Sequence, residues 1–381
     1  GTNEAGATVS LSIGGVTRVA TVTGTTWSYT LVAADITAMG QGAEIISATQ
    51  TDAAGNVSPA ATRPITVSTV VAGAPTIGAI AGDDIINANE QGAVITGTNE
   101  AGATVSLSIG GVTRAATVTG TTWSYTLVAA DITAMGQGAE TISATQTVSG
   151  NVSAATTRNI TVDTAAPVPA LAIKAGQDAY VNASEASVNI EVSSTGLAAG
   201  DVIQLKSGGT NIGTAYTVLA ADVTAGKATI NVLKTALGAD GAKTLTATVT
   251  DVAGNVGTTA SSLAVTVDTQ VPSVTSVAIS SATGVKSNTL NAGDVITAVA
   301  NFDDVVMVNG VPQLGLDIGG TIVQASYVSG SGTNALTFTY TIQSGQTDTN
   351  GISVPANSLS GGIADAAGGN AILTHALITD N

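Results

Sequence analysis

The chain has 381 residues, 44% of them hydrophobic but only 3% aromatic, with 45 glycines and no cysteine. Its 26 acidic residues outnumber 10 basic ones, giving a net charge of −16 and a pI near 4.1. That balance argues against nucleic acid and anionic membrane surfaces as partners and favours solubility and divalent cations, with most of the acids expected to form only a solvated surface. No 18-residue apolar run is present to span a bilayer, and no signal segment is visible. A cysteine-free chain rich in Thr, Ala, Gly and Asp suits a protein exported by bacteria.

Residues 1–51 recur at 97–147 with two changes, Val19 against Ala115 and Ile45 against Thr141. A near-perfect copy at a 96-residue spacing marks a small domain duplicated in tandem. Four such domains fit the length, and each is large enough for its own core. The expected boundaries are 1–72, 73–163, 164–268 and 269–381. Gly1 aligns with Gly97, so the first repeat starts part-way in. It is read as a segment of a longer array. Strand donation from an identical chain, building a filament, is the alternative.

The second repeat predicts strands near Thr76–Ile80, Ala93–Thr98, Ala103–Ile109, Ala115–Val118, Trp123–Val128, Glu140–Gln146 and Arg158–Val162. Val105, Leu107 and Ile109 alternate with Thr104, Ser106 and Ser108, the period of a sheet with one wet face. Trp123 and Tyr125 alternate likewise and are expected in the core rather than on a sugar-binding surface. Position 141 should face outward, since it accepts both Ile and Thr beside an inward Ile142. Short strands with turn signals every 8–12 residues predict an all-β, immunoglobulin-like sandwich.

The third repeat keeps this order after divergence. GQDAYVNASE (176–185) replaces AGDDIINANE (81–90), and TVTDVAGNVG (248–257) replaces TQTDAAGNVS (49–58). AVTVDTQVP (264–272) matches NITVDTAAP (159–167), a short linker stiffened by proline. The fourth repeat carries different signatures: GDVITAVANF (293–302), PQLGLDIGG (312–320), SGTNALTFTYT (331–341) and DAAGGNAI (365–372).

These motifs resemble the bacterial immunoglobulin-like repeats of giant surface adhesins and biofilm-associated proteins. The first three repeats look like those carrying DxAGN and VDT-x-x-P, and the fourth like an adhesin repeat of a second subfamily. The resemblance covers essentially the whole chain and implies extracellular stalks with calcium between domains, often exported by type I secretion.

The acids support that implication by their placement. They gather in the first inter-strand loop, the DxAGN loop and the linker, where carboxylate and carbonyl oxygens could complete a calcium shell. In this topology the first loop of one sandwich meets the DxAGN loop of the next. The second-to-third junction would gather Asp83, Asp84, Glu90, Asp163, Asp251 and Asn255. The third-to-fourth would gather Asp178, Glu185, Asp268, Asp365 and Asn370. Plain turn chemistry is the competing reading, since Asp, Asn and Gly all favour turns. The first-to-second junction has Ser68 for the linker Asp and loses the Asp of its DxAGN loop, so a weak or missing site and a hinge are expected there.

Catalysis finds little support. His375 is the only histidine and lies in an apparent terminal strand, where a structural role is expected. Zinc lacks its usual Cys and His ligands. Asp303 and Asp304 are adjacent but nothing places them in a pocket, and the Gly208–Gly209 and Gly361–Gly362 pairs lack the lysine and helix of a phosphate loop. The sequence therefore predicts a non-enzymatic, extracellular stalk on a bacterial surface. It would be stiffened by Ca2+, roughly 150 Å long at about 3.3 Å per strand residue plus loops, and in contact mainly with its own neighbouring repeats. A polymerising surface layer and a glycan- or protein-binding module with an unknown ligand are the alternatives.

Overall fold

A computed structural model describes residues 1–286 and 289–379. The chain forms two compact units that divide after residue 165. In the first unit, the second repeat builds two facing sheets. One runs Val112–Ala115, Thr104–Ile109, Gly138–Val148, Thr156–Val162, and ends on the short parallel strand Ile85–Ile86. The other is Thr117–Thr119, Thr122–Thr126 and Val94–Thr98. Ile80, Ile86, Ile95, Leu107, Ile109 and Ile142 fill the space between them. Ile142 is fully buried while its neighbour Thr141 is exposed, as the Ile45/Thr141 difference requires.

Three local expectations change. Thr76–Ile80 is not a regular strand, because Pro75 and Gly78 interrupt it. It still pairs with its neighbour, the Thr76 amide donating to Thr98 O (3.0 Å) and the Gly78 amide to Thr96 O (2.7 Å). The strand read as Ala115–Val118 is two strands broken at Ala116, whose amide turns across to Val105 O. Ala129–Met135 is a helix that strand periodicity did not reveal. Asp131 starts it by accepting the Val128 amide at 3.0 Å, and Gly136 ends it at φ 77°.

The first repeat repeats these elements, with Thr8–Ile13, Val16–Val19, Gly42–Thr51 and Ala61–Val67 in one sheet and a Thr21–Thr23/Thr26–Ser28 hairpin facing it. Val9, Leu11 and Ile13 are buried, but Trp27, Ile36 and Ile46 are only half-buried. In both repeats a buried Asp ties helix to sheet. Asp131 accepts Arg114 Nε (2.6 Å) and Tyr125 OH (2.8 Å), and Asp35 accepts Arg18 Nε (2.6 Å) and Tyr29 OH (2.9 Å).

In the second unit, the third repeat packs Pro169–Ile173, Ser187–Ser194 and Ala228–Leu233 against a sheet of Tyr180–Asn182, Leu263–Asp268, Gly241–Thr250 and Val202–Ser207. Tyr180–Asn182 pairs in parallel with Leu263–Asp268, placing Asn182 beside Asp268. Ile212 stands where the earlier repeats carry Arg18 and Arg114, and Asp222 is correspondingly half-exposed, keeping only Tyr216 OH and the Leu219 amide. The fourth repeat is organised by the long strand Val295–Ile318, which pairs with Val274–Thr283, Thr321–Ser329, Thr333–Thr341 and Leu359–Ala364. Its core includes Phe338, Leu314, Leu316 and Ile296. The architecture is a tandem of all-β, immunoglobulin-like sandwiches.

Candidate cation site

The DxAGN loops close on themselves. Asp52 Oδ1 accepts the amides of Ala54 (2.9 Å) and Asn56 (2.8 Å), and its Oδ2 accepts Asn56 Nδ2 (2.8 Å). Asp251 repeats the clasp with Asn255, through the amide at 2.8 Å and Nδ2 at 2.9 Å. In these loops turn chemistry engages both carboxylate oxygens.

The fourth repeat breaks this pattern by one residue. Its loop reads DAAGGN, and the second glycine carries Asn370 out to the surface, where its backbone bridges to Ala364. Asp365 Oδ1 still accepts an amide, from Gly369 at 2.7 Å. Its Oδ2 is buried without a hydrogen-bond partner, and the residue is only 6% exposed. A Cβ at Gly369 would lie 2.5 Å from Asp365 Oδ2, so a larger residue there would push that carboxylate aside.

This loop meets the end of the third repeat. Asn182 Nδ2 donates to Ala367 O at 2.7 Å. Asp268, its strand neighbour, is half-buried. Burial, then the negative charge of Asp365, then those of Asp240 and Asp304, push the Asp268 carboxyl above its usual range. Asp268 thus lies within electrostatic reach of Asp365, Asp240 and Asp304, and Asn182 is its partner in the sheet. Asp240 holds the linker by accepting Thr269 N (3.1 Å) and Thr269 Oγ1 (2.9 Å). Asp178 and Glu185 serve their own turns, accepting the amides of Tyr180 and Asn182 at 2.9 Å each.

The other predicted ligands lie as follows. Asp84 forms a two-point ion pair with Arg158, at 2.6 Å to Nε and 2.5 Å to Nη2. Asp83 accepts the Ile85 amide, Glu90 the Asn87 amide and Asp163 the Ala165 amide. Asp251 and Asn255 belong to the second unit and form the clasp above. Among the described residues, no three His, Cys, Asp or Glu side chains form a ready metal cage. Any ion at Asp268 and Asp365 would need neutral oxygens as well, a shell that calcium accepts.

At the first-to-second junction Asn151 Nδ2 donates to Ser68 O (2.8 Å) and Ser68 Oγ (3.2 Å). Gly73 is fixed as well, its amide donating to Glu100 Oε1 and its carbonyl accepting from Gln146 Nε2. The linker expected to hinge is held by direct hydrogen bonds to the second repeat. His375 is structural in geometry. Its Nε2 accepts the Ser358 amide (3.0 Å), and its Nδ1 lies 2.9 Å from Ala376 O. Asp303 holds Ser273 by accepting its amide at 2.7 Å and its hydroxyl at 2.5 Å.

The family profile of the bacterial Ig-like domain matches residues 165–269. No curated protein matches the sequence. Similar solved structures include part of a 1.5-MDa bacterial ice-binding adhesin, 29% identical over 69% of this chain and 87% of that one, with a TM-score of 0.36. Another is a Ca2+-stabilised adhesin with which an Antarctic bacterium reaches out and binds ice, 25% identical over 99% and 90%, with a TM-score of 0.41. A third is a tetra-tandem repeat from the extending region of a large adhesion protein, 19% identical over 96% and 91%, with a TM-score of 0.30. These whole-chain superpositions are loose, so the fold assignment rests on the family match and the sheet topology. Residues 165–269 match the bacterial Ig-like domain, within a chain built as a tandem of all-β sandwiches.

Proposed function

We propose that this chain is a stalk segment of a bacterial surface adhesin, in which calcium bound by Asp268 and Asp365 stiffens the joint between the third and fourth repeats. The observation that carries this reading is the unpartnered, buried Oδ2 of Asp365 in the same cluster as Asp268. Two carboxylates held close repel each other, the Lys234 ammonium nearby being bonded to the Asn182 and Ala183 carbonyls, and a divalent ion would remove the repulsion while satisfying the free oxygen. The Ala367 carbonyl, which here accepts Asn182 Nδ2, is a neutral oxygen on the same loop. The function is mechanical: the stalk projects an adhesive region from the cell surface, outside the cell, and its partners are its own neighbouring repeats.

The test is thermal unfolding of the EDTA-treated chain with and without calcium. At 100 times the dissociation constant, binding adds about 2.7 kcal/mol. That raises the melting temperature of a unit of this size by roughly 5–10 °C. Asp365→Asn should abolish the rise. Small-angle scattering should show the maximum dimension fixed by calcium in the wild type only. Identical melting curves in EDTA and calcium would refute the proposal.

A further inference from the structure

We infer that each of the first three sandwiches latches its own outgoing linker through one side chain, Gln41, Gln137 or Asp240, which makes the start of each linker rigid without an ion. A threonine follows two positions after the last buried valine of each sheet: Thr69 after Val67, Thr164 after Val162 and Thr269 after Val267. Gln41 Oε1 accepts the Thr69 amide at 2.9 Å, while its Nε2 donates to Thr69 Oγ1. Gln137 makes both bonds to Thr164, at 2.9 Å each. Asp240 holds Thr269 with oxygens alone, accepting the amide at 3.1 Å and the hydroxyl at 2.9 Å.

Strand register explains how one residue can do this. Gly42 pairs with Val67, Gly138 with Val162 and Gly241 with Val267, each pair being the last step of its ladder. The latching residue stands one position before that glycine, just beyond the paired backbone. A primary amide carries the donor and the acceptor of a peptide group. Gln41 and Gln137 therefore extend the ladder past its end with side-chain atoms. The glycines set the approach, at φ 109°, 106° and 117°, a backbone that other residues rarely adopt.

The third repeat solves the same contact differently. It reads GADG where the first two read GQG, one residue longer, with a side chain one methylene shorter. The amide donor is gone, yet both bonds persist, because a threonine hydroxyl can donate as well as accept. The Thr269 amide and then its hydroxyl hold the Asp240 carboxyl below its usual range. Gln41, Gln137 and Asp240 are all exposed, so the latch adds little to the unfolding free energy and acts on the linker instead. It requires no cation and does not depend on the calcium reading of the joint.

The experiment is 15N relaxation and amide exchange of the full chain, with EDTA present throughout so that no divalent ion contributes. The wild-type Thr164 amide should be ordered, with S² near about 0.85, and Gln137→Ala should drop it below about 0.6. Its exchange should rise about tenfold in that variant, while exchange across 138–144, inside the ladder, stays unchanged. Gln137 is exposed, so its replacement leaves the core of the sandwich untouched. Gln137→Glu should restore both order and protection, since a carboxylate accepts both threonine groups as Asp240 does. A Thr164 amide as mobile in the wild type as in Gln137→Ala would overturn the inference. So would a Gln137→Glu variant no more ordered than Gln137→Ala. The calcium response at Asp365 is silent in EDTA, so the latch and the joint can fail separately.

Discussion

Replacing Trp123 with alanine removes the largest side chain from the second repeat. Trp123 is 2% exposed, packs with Ile77, Ile95 and Leu127, and donates from Nε1 to Thr76 O at 3.1 Å. Buried Trp→Ala substitutions cost roughly 3–5 kcal/mol, and the lost hydrogen bond leaves Thr76 O to find water. Trp27 occupies the same place in a nearly identical sequence but is half-buried, without that bond and beside Gly1. In the 381-residue segment itself its replacement should cost only about 1–2 kcal/mol, because much of the ring faces water there. The chain has two tryptophans, so Trp27→Phe and Trp123→Phe each leave one reporter per repeat. In urea, Trp123 should emit at shorter wavelength than Trp27 and its repeat should unfold at higher denaturant. Each alanine variant is followed by circular dichroism and by the remaining tryptophan. Equal costs for Trp27→Ala and Trp123→Ala would refute the reasoning, since local sequence would then set the energetics.

Acid should unfold the first two repeats through their buried aspartates. The Val32 amide, against burial, with Arg18 and Tyr29, holds the Asp35 carboxyl below its usual range. Burial pushes Asp131 up, but the Val128 amide, Arg114 and Tyr125 outweigh it and hold it low. A lowered carboxyl stabilises above the ordinary carboxylate range, near pH 4, and that stability is lost as pH falls through the folded-state value. Asp131→Asn should flatten this dependence for the Trp123 signal and leave that of Trp27 unchanged. Asp268 has the opposite sign: its raised carboxyl makes the ionised form unfavourable in the metal-free fold. Asp268→Asn should therefore melt above the wild type in EDTA at pH 7, an advantage that fades in acid and reverses in calcium. Gly257→Ala would place a Cβ 1.6 Å from Pro167 O, a backbone atom that cannot swing aside. Calorimetry should show the third repeat destabilised by about 1–3 kcal/mol.

Much of the fold was legible because β-strands declare themselves two residues at a time. Val105, Leu107 and Ile109 face inward as their alternation required, and Leu314, Leu316, Leu336 and Phe338 do the same in the fourth repeat. The helix at Ala129–Met135 was not legible in that period. Its signal was Asp131, three residues after Val128, positioned to cap a first turn. At the candidate site, Asp268 and Asp365 were readable from the linker and loop motifs. Asn182, Asp240 and Asp304 were not, because they reach the cluster from other strands and loops.

The two near-identical repeats separate what sequence fixes from what it leaves open. Alternation, glycine turns and the Asp-capped helix act over a few residues, so residues 8–51 and 104–147 form the same order of strands and the same helix, with the Trp strand shorter in the first repeat (Thr26–Ser28 against Thr122–Thr126). Burial acts over distance. In the second repeat Ile77, Ile80 and Ile86, all outside the copied segment, fold over the core and close over Trp123 and Ile142. Carboxylates obey the same division: a DxAGN loop clasps its own aspartate wherever it occurs, but one extra glycine frees Asp365. Whether that free oxygen faces water or is buried near a second carboxylate was decided by tertiary structure, which put it close to Asp268, because charge repulsion and desolvation depend on proximity in space and not on order along the chain.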